Sequence, residues 1–221
     1  MMQMNHSSTG LRAATLAALM LFAPTPALLA LAPPAAAAAP EPAPDLARAV
    51  AALRGITSLR ANFTQTDANG TSTSGVLSLR QGGKIRFQYQ PGAQMLIVGD
   101  GKALTIVDDA VGQVQRWPIG SSPLGALLNP AKDVSGYGRV VPSAPGLLDV
   151  EVRDTRHPEY GLITLVFTHK AAAPGGLELM GWVAVDAHGR RTVIRLSGHE
   201  YGVALADRLF TYTDPRARYH K

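Results

Sequence analysis

Leu77-Ser-Leu-Arg-Gln-Gly-Gly-Lys-Ile-Arg-Phe-Gln-Tyr89 decides the fold class. Two alternating runs meet at Gly82-Gly83, a pair that reverses a chain without steric cost. After the turn, Ile85, Phe87 and Tyr89 share one face of a strand, and Lys84, Arg86 and Gln88 share the other. Before it, Leu77 and Leu79 alternate with Val76, Ser78 and Arg80. The stretch predicts an antiparallel hairpin with one apolar face, and such a face needs a cover.

The same pattern extends in both directions. Asn69-Gly70, Asp100-Gly101 and His188-Gly189 also sit between strand-like runs. The runs are Ala61–Thr66, Thr73–Arg80, Lys84–Gln90, Met95–Gly99, Ala103–Asp108, Gln113–Pro118, Gly138–Val141, Leu147–Arg153, Leu162–Thr168, Leu177–Val185, Arg191–Ser197 and Leu209–Tyr212. Each lies near its neighbour in sequence, so an antiparallel meander is expected and not a βαβ fold. Two runs are apolar on both faces. In one, Leu96 and Val98 are flanked by Met95 and Ile97; in the other, Met180 and Trp182 oppose Leu179 and Val183.

Two segments are expected to supply the cover. A helix is predicted from Asp45 to about Ser58, with Asp45 as cap and Leu46, Ala49, Val50 and Leu53 forming one stripe. The second is Ser121-Ser-Pro-Leu-Gly-Ala-Leu-Leu-Asn-Pro130, where Pro123 suits a first helical turn and Pro130 stops it. Its apolar side is Leu124, Leu127 and Leu128. So short a helix is not stable alone and must lean on the sheet as a weakly held lid.

The N-terminus reads as an address rather than as part of the fold. Arg12 precedes the apolar run from Ala13 to Phe22, Pro24 and Pro26 break it, and Ala35 to Ala39 supply small residues. That order predicts a secretory signal peptide over 1–38, then an Ala/Pro linker over 39–44, the domain over 45–215 and a basic tail over 216–221. The apolar core falls short of the roughly 20 residues of a membrane span. Export would permit disulfides, yet the chain has no cysteine. With no thiol to acylate, it is not itself a lipoprotein. The remaining roughly 180 residues suffice for one hydrophobic core.

Charge and motifs narrow the function classes. Arg12 is the one charged residue of the leader, so the rest of the chain keeps nearly all of the net +5. Its basic residues are scattered apart from Arg216, Arg218, His220 and Lys221, which argues against nucleic-acid binding. A basic rim facing an acidic partner or phospholipid headgroups fits better. His199-Glu200 lacks the second histidine of a zinc protease, and neither a G-x-S-x-G elbow nor a Walker loop occurs. Asp108-Asp109 reads as a turn, and His157, His169 and His188 as solvated loop residues. An enzyme, a metal site and a cofactor are therefore not expected.

Taken in order, Ala61-Asn-Phe-Thr-Gln-Thr66, the Leu77–Tyr89 hairpin, Gln94-Met-Leu-Ile-Val-Gly-Asp-Gly-Lys-Ala-Leu-Thr-Ile-Val-Asp108 and Val111-Gly-Gln-Val114 closely resemble the LolA family of periplasmic lipoprotein carriers. In that family an F-x-Q segment is followed by an R-P-G-K-F-R-W-x-Y hairpin, a Q-x-x-x-x-D-G-K-x-L-W-x-Y-D hairpin and a Q-V strand. The resemblance covers about Asp45 to Asp214. It implies a mainly β chain with some α-helix: an incomplete antiparallel β-barrel of about 11–12 strands, closed by the N-terminal helix and the short lid. It implies a monomeric carrier that takes acylated lipoproteins from an inner-membrane ABC transporter and delivers them to an outer-membrane receptor or membrane surface. A carrier of another envelope lipid, a glycolipid or phospholipid, is the alternative.

The expected acyl cavity is bordered by Leu79, Ile85, Phe87, Tyr89, Leu96, Leu104, Ile106, Leu124, Leu127, Leu128 and Trp182. Gln81-Gly82 stands where the family has Arg-Pro, an arginine implied to hold lid carbonyls. Lid closure is therefore assigned to Gln81 or to Arg80. Lys84 and Arg86, on the opposite face, are expected to contact the transporter or membrane.

Overall fold

The structure, a computed structural model, describes residues 44–118 and 137–218. The described elements are α1 (Pro44–Gly55), β1 (Ser58–Thr66), β2 (Ser72–Arg80), β3 (Lys84–Tyr89), β4 (Met95–Asp100), β5 (Ala103–Asp108), β6 (Gln113–Pro118), β7 (Gly138–Val141), β8 (Leu147–Arg153), β9 (Leu162–His169), β10 (Leu177–Val185) and β11 (Arg191–Tyr201). All eleven strands form one sheet in the order β6-β5-β4-β3-β2-β1-β11-β10-β9-β8-β7. Every pairing is antiparallel. The meander is thus two runs of hairpins joined where β1 meets β11, and the sheet does not close into a barrel.

The turns follow from their residues. Asp67 Oδ1 accepts the amides of Asn69 and Thr71, each at 2.9 Å, and Gly70 takes the left-handed position. Asp100 and Asp186 repeat the device ahead of Gly101 and Gly189. A short carboxylate satisfies the amides of the reversing chain, and glycine supplies the positive φ.

The sheet is strongly curled. Neighbouring strands lie about 4.8 Å apart, so β3 and β10, four intervals apart, would stand about 19 Å apart in a flat sheet. Yet the rings of Phe87 on β3 and Trp182 on β10 meet edge to face with centroids 5.9 Å apart. Bulges help to bend the sheet. In β10 the register slips between Leu179 and Gly181. Gly181 has φ 146°, and a Cβ there would lie 2.0 Å from the Ile194 carbonyl oxygen.

Cross-strand register assigns the faces. Leu59, Ala61 and Phe63 of β1, Leu77 of β2, Ile85, Phe87 and Tyr89 of β3, Val150 and Leu165 of β8 and β9, and Ile194 and Leu196 of β11 line the concave side. α1 lays Leu46, Ala49 and Val50 against this core. Its main contacts are with the Pro174–Gly176 turn, β7, β8 and β10, so it covers the β7–β10 side of the concavity.

Three expectations are corrected here. The helix ends at Gly55, three residues short of Ser58, because β1 begins at Ser58 and pairs it with Arg80. β1 accordingly starts earlier than Ala61. Leu209–Tyr212 is not a strand. It lies in and beyond a 3-10 turn, Asp207–Phe210, laid across the convex face. No ladder receives its carbonyls; Arg86 does, donating from Nη1 to Leu209 O and Thr211 O at 3.0 Å each.

Candidate functional site

The middle of the concavity is an aromatic cluster built from separate motifs. Phe63 of β1 meets Phe87 and Tyr89 edge to face at 5.2 and 5.0 Å, and Phe87 in turn meets Trp182. Gly75 of β2 lies between β1 and β3, opposite Phe63 and Tyr89. A Cβ at Gly75 would stand 2.1 Å from Gln88 O and 2.8 Å from the Phe63 ring, so the packing requires glycine there. Two residues on, Gln65 accepts the Tyr89 hydroxyl at 2.6 Å. Burial pushes the Tyr89 phenol up to about 12. The pairing of Phe63 and Gln65 with Tyr89 thus ties the F-x-Q segment to the end of the hairpin.

Around this cluster the concave wall grades from closed to open. Ile85, Phe87 and Tyr89 are buried, whereas Leu79, Leu104 and Trp182 are partly exposed against the same core. Ile106 pairs with Ile97 and shares its face. Met95, Ile97 and Trp117 belong to this wall and were not singled out from the sequence. Trp117 opposite Leu104 is 59% exposed. Trp182 on β10 apart, these wall residues lie on the β2–β6 side, away from the main contacts of α1.

Leu96 is corrected: it lies on the other face, in a cluster with Val98, Leu205 and Phe210. Register explains it, since Leu96 opposes Val107 while Ile97 opposes Ile106. Leu124, Leu127 and Leu128, with the rest of the expected lid, lie outside the described residues.

The polar assignments divide between the two faces. Gln81 Nε2 reaches the carbonyl of Arg54, in the last turn of α1, at 3.4 Å. Its backbone amide donates to Thr57 O at 2.9 Å. Gln81 therefore holds the end of the helix, although weakly. Arg80 does not: it points to the convex side, donating to Leu205 O at 2.6 Å and to Asp207, with its guanidinium 5.2 Å over the Phe210 ring. Lys84 also binds Asp207. The convex cations expected to face a partner thus hold the chain's own C-terminal segment. Lys84 first and then Arg80 draw the Asp207 carboxyl down to about 2.

At the other end of the concavity β10 and β11 separate above the Leu179–Gly181 bulge, since their pairing stops at Gly181 and Arg195. His199 bridges to Leu179 O at 2.8 Å and stacks on Tyr201. Buried Glu178 lies 3.8 Å from His199 and pairs with Lys170 at 2.5 Å. Burial first, and Glu178 second, push the Tyr201 phenol up to about 12. His199 is thus a packed structural residue. Among the described residues no helix is long and apolar enough to cross a membrane.

The chain is similar in sequence to known proteins. The family model for the outer membrane lipoprotein carrier protein LolA matches residues 54–213. A curated outer-membrane lipoprotein carrier protein from Xanthomonas oryzae pv. oryzae is 33% identical over 181 residues, covering 72% of this chain and 79% of its own. One from Chromobacterium violaceum is 39% identical over 109 residues, covering 46% and 53%. Among solved structures, a LolA-superfamily protein from Nitrosomonas europaea is similar with a TM-score of 0.42 at 12% identity, over 75% of this chain and 97% of its own.

Proposed function

This chain belongs to the LolA family of outer membrane lipoprotein carrier proteins, and we propose that its curled sheet receives lipoprotein acyl chains on the concave face for transfer through the periplasm. The observation that carries this reading is the graded wall: a closed aromatic centre continuous with partly exposed Leu79, Met95, Ile97, Leu104 and Trp182. Each buried methylene contributes about 0.8 kcal/mol, so an acyl chain leaves water only for a surface of this kind. A carrier must also release its cargo. Among the described residues the sheet runs open from β6 to β7, and an open sheet deforms more readily than a closed barrel.

The resemblance to the family implies a donor at the inner membrane and an acceptor at the outer membrane. For this chain we assign the donor role to a lipoprotein-releasing ABC transporter and the acceptor role to a receptor or the membrane surface. The sequence order of Arg12, apolar run and small residues supports export by a cleaved leader. The names of the curated relatives favour lipoprotein over another envelope lipid as cargo.

The test is binding of a purified triacylated lipoprotein and of its acyl-free form. Retention of the acylated form alone is the expected result. Equal retention of both forms would overturn the proposal.

A further inference from the structure

The convex face carries a cleft of about 830 Å³ between β3–β4 and the C-terminal segment. Three arginines, Arg60, Arg86 and Arg208, line it against a single carboxylate, Asp109, among the described residues. Arg60 and Arg86 stand in one cross-strand row, separated by Ser78 of β2. Arg60 is loosely paired with Glu200 at 3.8 Å. The polar bonds of Arg86 go to Leu209 O, Thr211 O and the Gln88 amide oxygen, none of them charged. Among the described residues neither Arg86 nor Arg208 forms an ion pair. Part-burial of a guanidinium facing only neutral acceptors costs solvation, and it lowers the affinity of Arg86 for its proton. An arriving anion restores that loss.

The lining of the cleft is mainly polar, but the partly exposed Leu96 and Leu209 add a small apolar patch to it. Arginines beside a small apolar patch fit an anionic amphiphile with a short apolar part. A peptide laid as an added strand fits less well. The segment's carbonyls at Val203, Leu205, Leu209 and Thr211 are already taken by Ser58, Arg80 and Arg86, so its backbone has few acceptors left to form a ladder.

We propose that this cleft is a binding site for an anionic glycerophospholipid, with the phosphodiester at Arg86 and Arg208 and the glycerol or first methylenes on Leu96 and Leu209. The arginines of the site lie on the face opposite the acyl-binding concavity, while Tyr89 and Met95 border both. The site gives the carrier a contact with an anionic leaflet that does not compete with cargo.

The experiment is calorimetric titration of the whole protein with dihexanoyl phosphatidylglycerol below its micelle-forming concentration. Dihexanoyl phosphatidylcholine, inorganic phosphate and an acidic decapeptide serve as comparison ligands. Phosphatidylglycerol is expected to bind most tightly, also after the concave face has been filled with a palmitoylated peptide. Arg208→Glu, at an exposed residue, is expected to weaken it by about tenfold, the effect of losing one charge-assisted contact. Arg86→Gln is expected to weaken it as well. Equal binding of phosphatidylcholine or of phosphate overturns the proposal, as does preference for the decapeptide or displacement by the palmitoylated peptide. Loss on Arg86→Gln with no effect of Arg208→Glu also overturns it, because Arg86 holds the C-terminal segment as well.

Discussion

Phe87 and Leu79 share the concave face but differ in what surrounds them. Phe87 is 7% exposed and meets rings from β1 and β10, whereas Leu79 is partly exposed at the margin of the same core. Phe87→Ala is expected to cost about 3–5 kcal/mol, as for other buried aromatics, read by chemical denaturation. Leu79→Ala is expected to cost less than half as much and yet to weaken binding of a palmitoylated peptide. Wild-type affinity in Leu79→Ala would remove that residue from the cavity wall. The inward set Ile85, Phe87 and Tyr89 was legible because its alternates, Lys84, Arg86 and Gln88, are polar. Leu96 was not legible: Met95, Leu96, Ile97 and Val98 are all apolar, so alternation could not choose between faces. The ambiguity has a physical cause, since β4 is covered on both sides, by the concave core and by Leu205, Leu209 and Phe210.

At the scale of elements, the C-terminal segment departs most from expectation. Leu209–Tyr212 has the alternation of a strand, but the antiparallel partners along β2–β4 are already paired within the sheet. The segment therefore crosses the convex face and is held by side chains. Sequence separation hid this, because Arg80, Lys84 and Arg86 meet residues more than a hundred positions away. Asp207 is the anchor most open to test. Its folded-state carboxyl, drawn to about 2, lies below its ordinary value of 3.8. The anchoring is therefore fully present above the ordinary value and lost as pH falls toward 2. Phe210 ring signals in NMR spectra are expected to shift with a midpoint at the folded value of about 2, and Asp207→Asn should remove that dependence. An unchanged pH profile in Asp207→Asn would assign the transition to another group.

For the molecule as a whole, the meander and its hairpins were legible in local signals, glycine turns and period-two alternation. Its curl was not, because it depends on bulges at Gly181 and on contacts between strands far apart in the chain. The ring contact between Phe87 and Trp182 spans the curl and makes Trp182 a reporter of its opening. The chain has two tryptophans; the other, Trp117, stands exposed on the β6 edge of the same face. Trp117→Phe leaves a single emitter at the site without touching the core. An acyl chain inserted beside Phe87 should replace water at the partly exposed indole, and a blue shift with rising intensity is expected on titration with a palmitoylated peptide. The unacylated peptide should leave the spectrum unchanged. If Trp182 emission stays fixed while the palmitoylated peptide binds, the cargo sits elsewhere, and the β3–β10 concavity is core rather than cavity.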